Sequence, residues 1–338
     1  MPRSSAPFTV EQHWQYFVEF VRLERAVGGP DPHMVLVGHM SRDVSEMERL
    51  WRAGCYVGVY NVPAAEVIWR SWSWEGIVAQ GPVDLTRWLR THWSGIPTRR
   101  ERRCVRSPEK LARFLLEYAA WIPTVWPEIR SSSYQEAWNR CQEVYAMGRY
   151  ATMKLLEFWH RYCGFPQPMP DIRARGGMSP RQTLALLMPE HKDLFLDDAA
   201  SSVGKVEVLA EEARSNLRIQ HGFDLDHFLF QVLLCDYRQS CEGQRQYPGR
   251  SHDSELDYRR VVEDHFGAAV ETEMLTARQQ LFPAVALGER VVGGWTGVRK
   301  ELGRVLRLHG YTWSDVKFSY PATKDLAHPI MWENIEPK

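Results

Sequence analysis

Capped amphipathic segments follow one another along almost the whole chain, and this punctuation leaves little length over for strands. Ser107 stands before Pro108, which occupies the first helical position of PEKLARFLLEYAAWI, where the missing N–H is no loss. Ser133 and Glu136 have the spacing of a capping box at the start of YQEAWNR. Further starts are read in SRDVSEMERLW, at Pro63 before AAEVIW and at Asp84 before LTRWLRTHW. In DLDHFLFQVLL, Leu225, Phe228, Leu229, Val232 and Leu233 recur at the three-and-four spacing of one helix face. CYVGVYNV is the one stretch that reads as a strand, with buried helix or extended loop as the alternatives. The expectation is a mainly α protein with hardly any sheet.

At 338 residues the chain has ample length for a core. It is read as a single helical catalytic domain over 1–338, with 268–338 set apart as a C-terminal extension. No run approaches the length of a membrane span, and MPRSSAPFTVEQ has no apolar segment of a secretory signal, so a soluble, cytoplasmic protein with no membrane partner is expected. The six cysteines form no C-x-x-C pair, which argues against a zinc site and a disulfide framework. No Walker loop, dinucleotide fingerprint, HExxH or G-x-S-x-G occurs, so neither metal nor cofactor is expected.

A formal net charge of zero speaks against nucleic acid until the cations are placed. Of 42 basic residues 8 are lysine, leaving 34 arginines. Five of these, Arg99, Arg100, Arg102, Arg103 and Arg106, crowd into TRRERRCVR. Arginines so close repel one another unless an anion is present, and their planar forks grip phosphate bidentately. A solvated basic loop is the alternative. PDIRARGGMSP sets Asp171, Arg173 and Arg175 beside a Gly-Gly turn before a helix. It reads equally as an anion cradle or as a turn with solvated arginines.

VLLCDYRQSCEGQRQYPGRSHDSELDYRR carries Asp236, Tyr237 and Arg238 on the last turn of a core helix, then Arg245, Tyr247, Arg250, Asp253 and Glu255. A phosphate-bearing ligand calls for that mixture of cations, phenols and carboxylates; a solvated connection does not. Asp253 or Ser254 could instead cap the helix SELDYRR. In YQEAWNRCQEVYAMGRYATMKLLE, two helical patterns meet at Met147 and Gly148, next to Arg149 and Lys154. Such a turn is either a helix-hairpin-helix-like element presenting N–H groups to a DNA phosphate or an ordinary αα-hairpin.

Taken together, FVEFVRLERAVGGPDPH, LWRAGCYVGVYNVPAAEVIW, TRRERRCVRSPEKL, MGRYATMKLLE, PDIRARGGMSPRQTL and the 232–260 stretch resemble the bacteriophage amino acid:DNA transferases. That group is DNA glycosylase-like, modifies thymine, and is related to the α-glutamyl/putrescinyl thymine pyrophosphorylases. The resemblance covers roughly residues 15–260. It implies a glycosylase-like helical fold and a DNA substrate, in an infected bacterial cell, whose thymine has become phosphorylated or pyrophosphorylated 5-hydroxymethyluracil. An amino acid, often glycine, or another amine would displace the leaving group. The chemistry requires cations on the departing phosphate, for which Arg99, Arg100, Arg102, Arg103, Arg245 and Arg250 are candidates, with Arg149 and Lys154 on DNA. It requires a proton acceptor (Asp236, Asp253 or Glu255), a cation for the amino-acid carboxylate (Arg173 or Arg238, near Asp171 and Arg175), and aromatics for a flipped base (Tyr237 or Tyr247). A noncatalytic DNA-binding protein and a base-excising glycosylase of the same fold are the alternatives.

Overall fold

The computed structural model describes residues 10–80, 82–168, 178–197, 203–241, 249–267 and 272–283. Among them the protein is helical throughout, with no strand. The α-helices are, in order, α1 (Val10–Ala26), α2 (Pro32–Met40), α3 (Glu46–Val59), α4 (Val62–Ser71), α5 (Trp74–Gln80), α6 (Pro82–His92), α7 (Pro108–Ile129) and α8 (Tyr134–Cys141). There follow α9 (Arg149–Tyr162), α10 (Met178–Leu187), α11 (Lys192–Leu196), α12 (Val203–His221), α13 (His227–Cys241), α14 (Arg250–Phe266) and α15 (Thr272–Leu281). The arginine-rich stretch forms a short 3-10 segment, Arg100–Val105, kinked at Arg102.

The local start signals act as read. Ser107 accepts from Lys110 N–H, and Ser133 and Glu136 form a complete capping box. The strand reading of CYVGVYNV is wrong: Cys55–Val59 is the last part of α3. Its apolar run is continuous because this helix is buried on nearly every side. A β-carbon at Gly54 would collide with the Tyr118 ring, so the glycine lets α7 press against α3, and Tyr118 donates to Leu50 O at 2.7 Å.

The chain divides into two compact units, each built from separated segments. One comprises Met1–Asp31, Asp171–Asp253 and Phe282–Lys338, the other Pro32–Pro170 and Ser254–Leu281. In the first, α10 packs on α13 and α1 lies against both. Phe17 and Phe20 of α1 enclose Tyr237, and Trp14 donates to Leu187 O at 2.9 Å. In the second, α3 is the centre, packed by α4, α7 and α9, while α15 lies on α2 and α4.

Candidate functional site

Carboxylates of the second unit receive the first N–H groups of helices other than their own. Glu48 of α3 takes the Trp74 N–H at the start of α5 at 2.7 Å, and Glu255 of α14 takes the Val62 N–H at the start of α4 at 2.7 Å. Glu255 is fully buried and also holds Arg99 Nη2 at 3.0 Å and His33 Nδ1 at 3.3 Å. Burial alone would raise its pKa. The hydrogen bond and charge of His33, the charge of Arg99 and the Val62 N–H outweigh burial and hold the carboxyl below its usual range.

Arg99 is therefore fixed in place. Its guanidinium stacks at 5.3 Å over Tyr60 and 5.5 Å over Tyr258. Burial works against its charge, but Glu255 and the tyrosines Tyr60, Tyr258 and Tyr56 more than compensate, so its pKa is raised. Tyr60 ends α3 in the left-handed conformation, φ 57°, which costs a non-glycine residue about 1–2 kcal/mol. The turn that holds it is tied to the arginine-bearing loop: Arg99 N–H donates to Val59 O at 3.0 Å, and Asn61 Nδ2 to Pro97 O at 2.7 Å.

Of the neighbouring cations, Arg102 points inward and is only 2 % exposed. It donates to Ala146 O at 2.8 Å and lies 4.9 Å over the Phe114 ring, while its Nη2 has no hydrogen-bond partner. No carboxylate among the described residues pairs with it, and burial pulls its pKa down. Arg106 is exposed and donates to Thr98 O. Only the backbone of Arg100 and Arg103 is described. Lys154 is buried and paired with Glu157 at 2.9 Å, so its charge is spent inside unit two.

The turn before α9 differs from the sequence reading in its details. The helix before it stops at Cys141, and Ala146, not Gly148, takes the left-handed conformation, φ 57°. Gly148 has an ordinary φ of −74° and open space where a β-carbon would be, so it does not serve close helix approach. It stands at the N-cap of α9 with no side chain to accept a hydrogen bond, and no acidic residue follows in the first turn. Arg149 and Tyr150 are exposed there, and the Tyr150 ring meets Tyr60 edge-on at 5.1 Å. The open helix start, Tyr150, Tyr60 and Arg99 thus form one continuous feature of the second unit.

In the first unit, Tyr237 is 1 % exposed, in the core. Asp236 and Arg238 are half-buried on α13, and Arg250 opens α14. Asp253 is buried and lies within the first turn of α14, not at its cap, its N–H pointing 3.4 Å to Gly249 O. Glu24 of α1 was not singled out in the sequence, although it interrupts the apolar stripe of Phe17, Phe20 and Val21. It is buried and accepts the Gly249 N–H at 3.3 Å. Burial and the nearby charge of Asp236 raise its pKa well above the usual range, against a smaller lowering by Gly249. Asp171, Arg173, Arg175, Arg245 and Tyr247 lie outside the described residues.

A cleft of about 420 Å³ opens in the second unit beside α2 and α15, with Arg42, Arg52 and Arg70 facing Asp43 and Glu273. His39 Nε2 and Gln280 Oε1, 2.9 Å apart, join α2 to α15 at its edge. Among the described residues no group of His, Cys, Asp and Glu could hold a metal ion, and no helix is long and apolar enough to cross a membrane. No family model, curated protein or solved structure matches the chain.

Proposed function

We propose that the chain is a DNA-modifying transferase with a glycosylase-like helical fold. It attaches an amino acid to the 5-methylene of phosphorylated or pyrophosphorylated 5-hydroxymethyluracil in DNA. The observation that carries this reading is the uncapped start of α9, next to a buried arginine that no described carboxylate neutralises. The N–H groups of a helix start without a side-chain cap, together with the helix dipole, favour an anion at such a position, and a DNA phosphate is a fitting one. From there Tyr150, exposed and edge-on to the buried Tyr60, offers aromatic surface for an extruded base. Arg99, locked by Glu255, meets the leaving pyrophosphate.

In the reaction the amine nitrogen forms a bond to the exocyclic carbon, the carbon–oxygen bond to pyrophosphate breaks, and a carboxylate takes the ammonium proton. Glu255, occupied by the Val62 N–H, Arg99 and His33, acts as the holder of Arg99 and not as the proton acceptor. The cleft beside α15 suits the amino acid, with arginines for its carboxylate and Glu273 for its ammonium.

The test is to incubate the protein with phosphorylated hydroxymethyluracil DNA and glycine, digest the DNA and weigh the nucleosides. A glycine adduct is expected. A free base in its place would make the protein a glycosylase, and unchanged nucleosides with tight binding would make it a noncatalytic DNA-binding protein.

A further inference from the structure

Among the described cysteines with placed side chains, Cys55, Cys141 and Cys163 are buried, Cys235 is half-buried, and Cys104 alone is exposed. Burial pushes the buried thiols up, Cys163 to about 12, so they hold almost no thiolate at neutral pH. Cys104 is open to solvent instead. It lies in the kinked segment RERRCV, with its Sγ 3.8 Å from Arg102 Nη1 and 3.9 Å from Ala146 O. The same guanidinium carries a buried Nη2 that has no hydrogen-bond partner, and no carboxylate among the described residues pairs with it, so uncompensated positive charge lies beside an accessible sulfur. Exposure gives a disulfide reagent access to the sulfur, and the adjacent guanidinium attracts an anionic one.

We propose that Cys104 is a modification site for small anionic disulfides, and that capping it closes the start of α9. The Cys104 thiolate attacks one sulfur of a carboxylate-bearing disulfide. A new S–S bond forms at Sγ, the original S–S bond breaks, and the released thiolate takes up the proton that Cys104 gave to solvent. The attached carboxylates then compete for Arg102 and for the N–H groups after Gly148. Because Ala146 bonds Arg102 and faces Cys104, the added group lies against the turn that leads into α9. The effect on DNA rests on the function proposed above; the reactivity of Cys104 does not.

The experiment uses the full chain, the dianionic disulfide dithiobis-nitrobenzoate and the neutral dithiodipyridine, each scaled to its rate with N-acetylcysteine. About one fast-reacting thiol per chain is expected, absent in Cys104→Ser, with the scaled rate for the dianion at least about threefold higher at low salt and the advantage lost at high salt. Fast labelling that survives in Cys104→Ser, or no advantage for the dianion, would overturn the site. Capped wild-type protein is expected to bind duplex DNA about tenfold more weakly than uncapped, with Cys104→Ser indifferent to the reagent. Equal binding by capped and uncapped protein overturns the closure. If uncapped protein binds no DNA, the transferase reading fails and the closure with it, while the labelling result still decides the site.

Discussion

Glu66 of α4 accepts a hydrogen bond from the backbone N–H of Met274, in the first turn of α15, and its carboxyl stays protonated far above the usual range. Burial is the main cause and Glu273 the second; Arg70 and the Met274 N–H act in the other direction, and the pKa is pushed up to about 8.

A pH dependence follows. Between about pH 4.5 and 8 the folded protein keeps this proton while the unfolded chain has released it, so stability falls as pH rises through that window and levels off above it. The slope attributable to Glu66 reaches about 1.4 kcal/mol per pH unit at most. Glu66→Gln should flatten the decline, as read by urea unfolding across the window. An unchanged slope would assign the decline to other groups.

Glu255 has the opposite sign. Its pKa is depressed in the folded state, so its contribution is present above the ordinary carboxylate range and is lost as pH falls through the lower folded value. Glu255→Gln leaves Arg99 buried without its counter-charge and should cost about 3–5 kcal/mol. The variant should also lose less of its remaining stability in acid than the wild type does, measured by denaturant midpoints.

Gly148→Asp separates stability from binding. The site has room for a side chain and an ordinary φ, and an aspartate there would cap α9. Stability should rise by a few tenths of a kcal/mol, roughly the gain of Asp over Gly at an N-cap. DNA affinity should fall about tenfold, because the carboxylate occupies the phosphate position. A stabilised variant with unchanged affinity would remove the α9 start from the DNA surface.

Arg149→Ala should lower the salt dependence of duplex binding by about 0.9 in the log-log slope, one phosphate contact's worth. Titrations at several salt concentrations read this directly, and a wild-type slope would show that Arg149 touches no phosphate.

Asp236→Asn should reduce amine transfer at least tenfold while leaving DNA affinity near the wild-type value. It also removes the charge that helps keep Glu24 protonated, so the Glu24 pKa should drop, as followed by carbon-13 shifts of labelled glutamate. Transfer at the wild-type rate would exclude Asp236 as the proton acceptor.

Features that depend on a few neighbouring residues were legible in the sequence. Ser107 with Pro108 and Ser133 with Glu136 mark helix starts because a cap bonds its own first turn. CYVGVYNV misled because a helix buried all round loses its periodicity, and the glycines that signal close packing in α3 also occur in strands. Arg99 and Glu255, 156 residues apart, were each noticed without any indication that they meet. Arg102 cannot be told from its neighbours in TRRERRCVR, since which arginine turns inward is decided by Phe114 and Ala146, elsewhere in the chain. Glu24 and Glu66 could have been found: each interrupts an apolar helical stripe, and a carboxylate there has to be either paired or protonated.

The carboxylates that serve helix starts outside their own helix also decide which parts of the second unit come apart together. Glu255 of α14 secures the beginning of α4, and Glu66, carried by α4, secures the beginning of α15. Releasing α14 therefore loosens α4, and a loosened α4 withdraws the acceptor from α15. Amide hydrogens in these three helices should exchange with solvent at one common rate, as a single opening block, although α4 lies nearly two hundred residues before the other two.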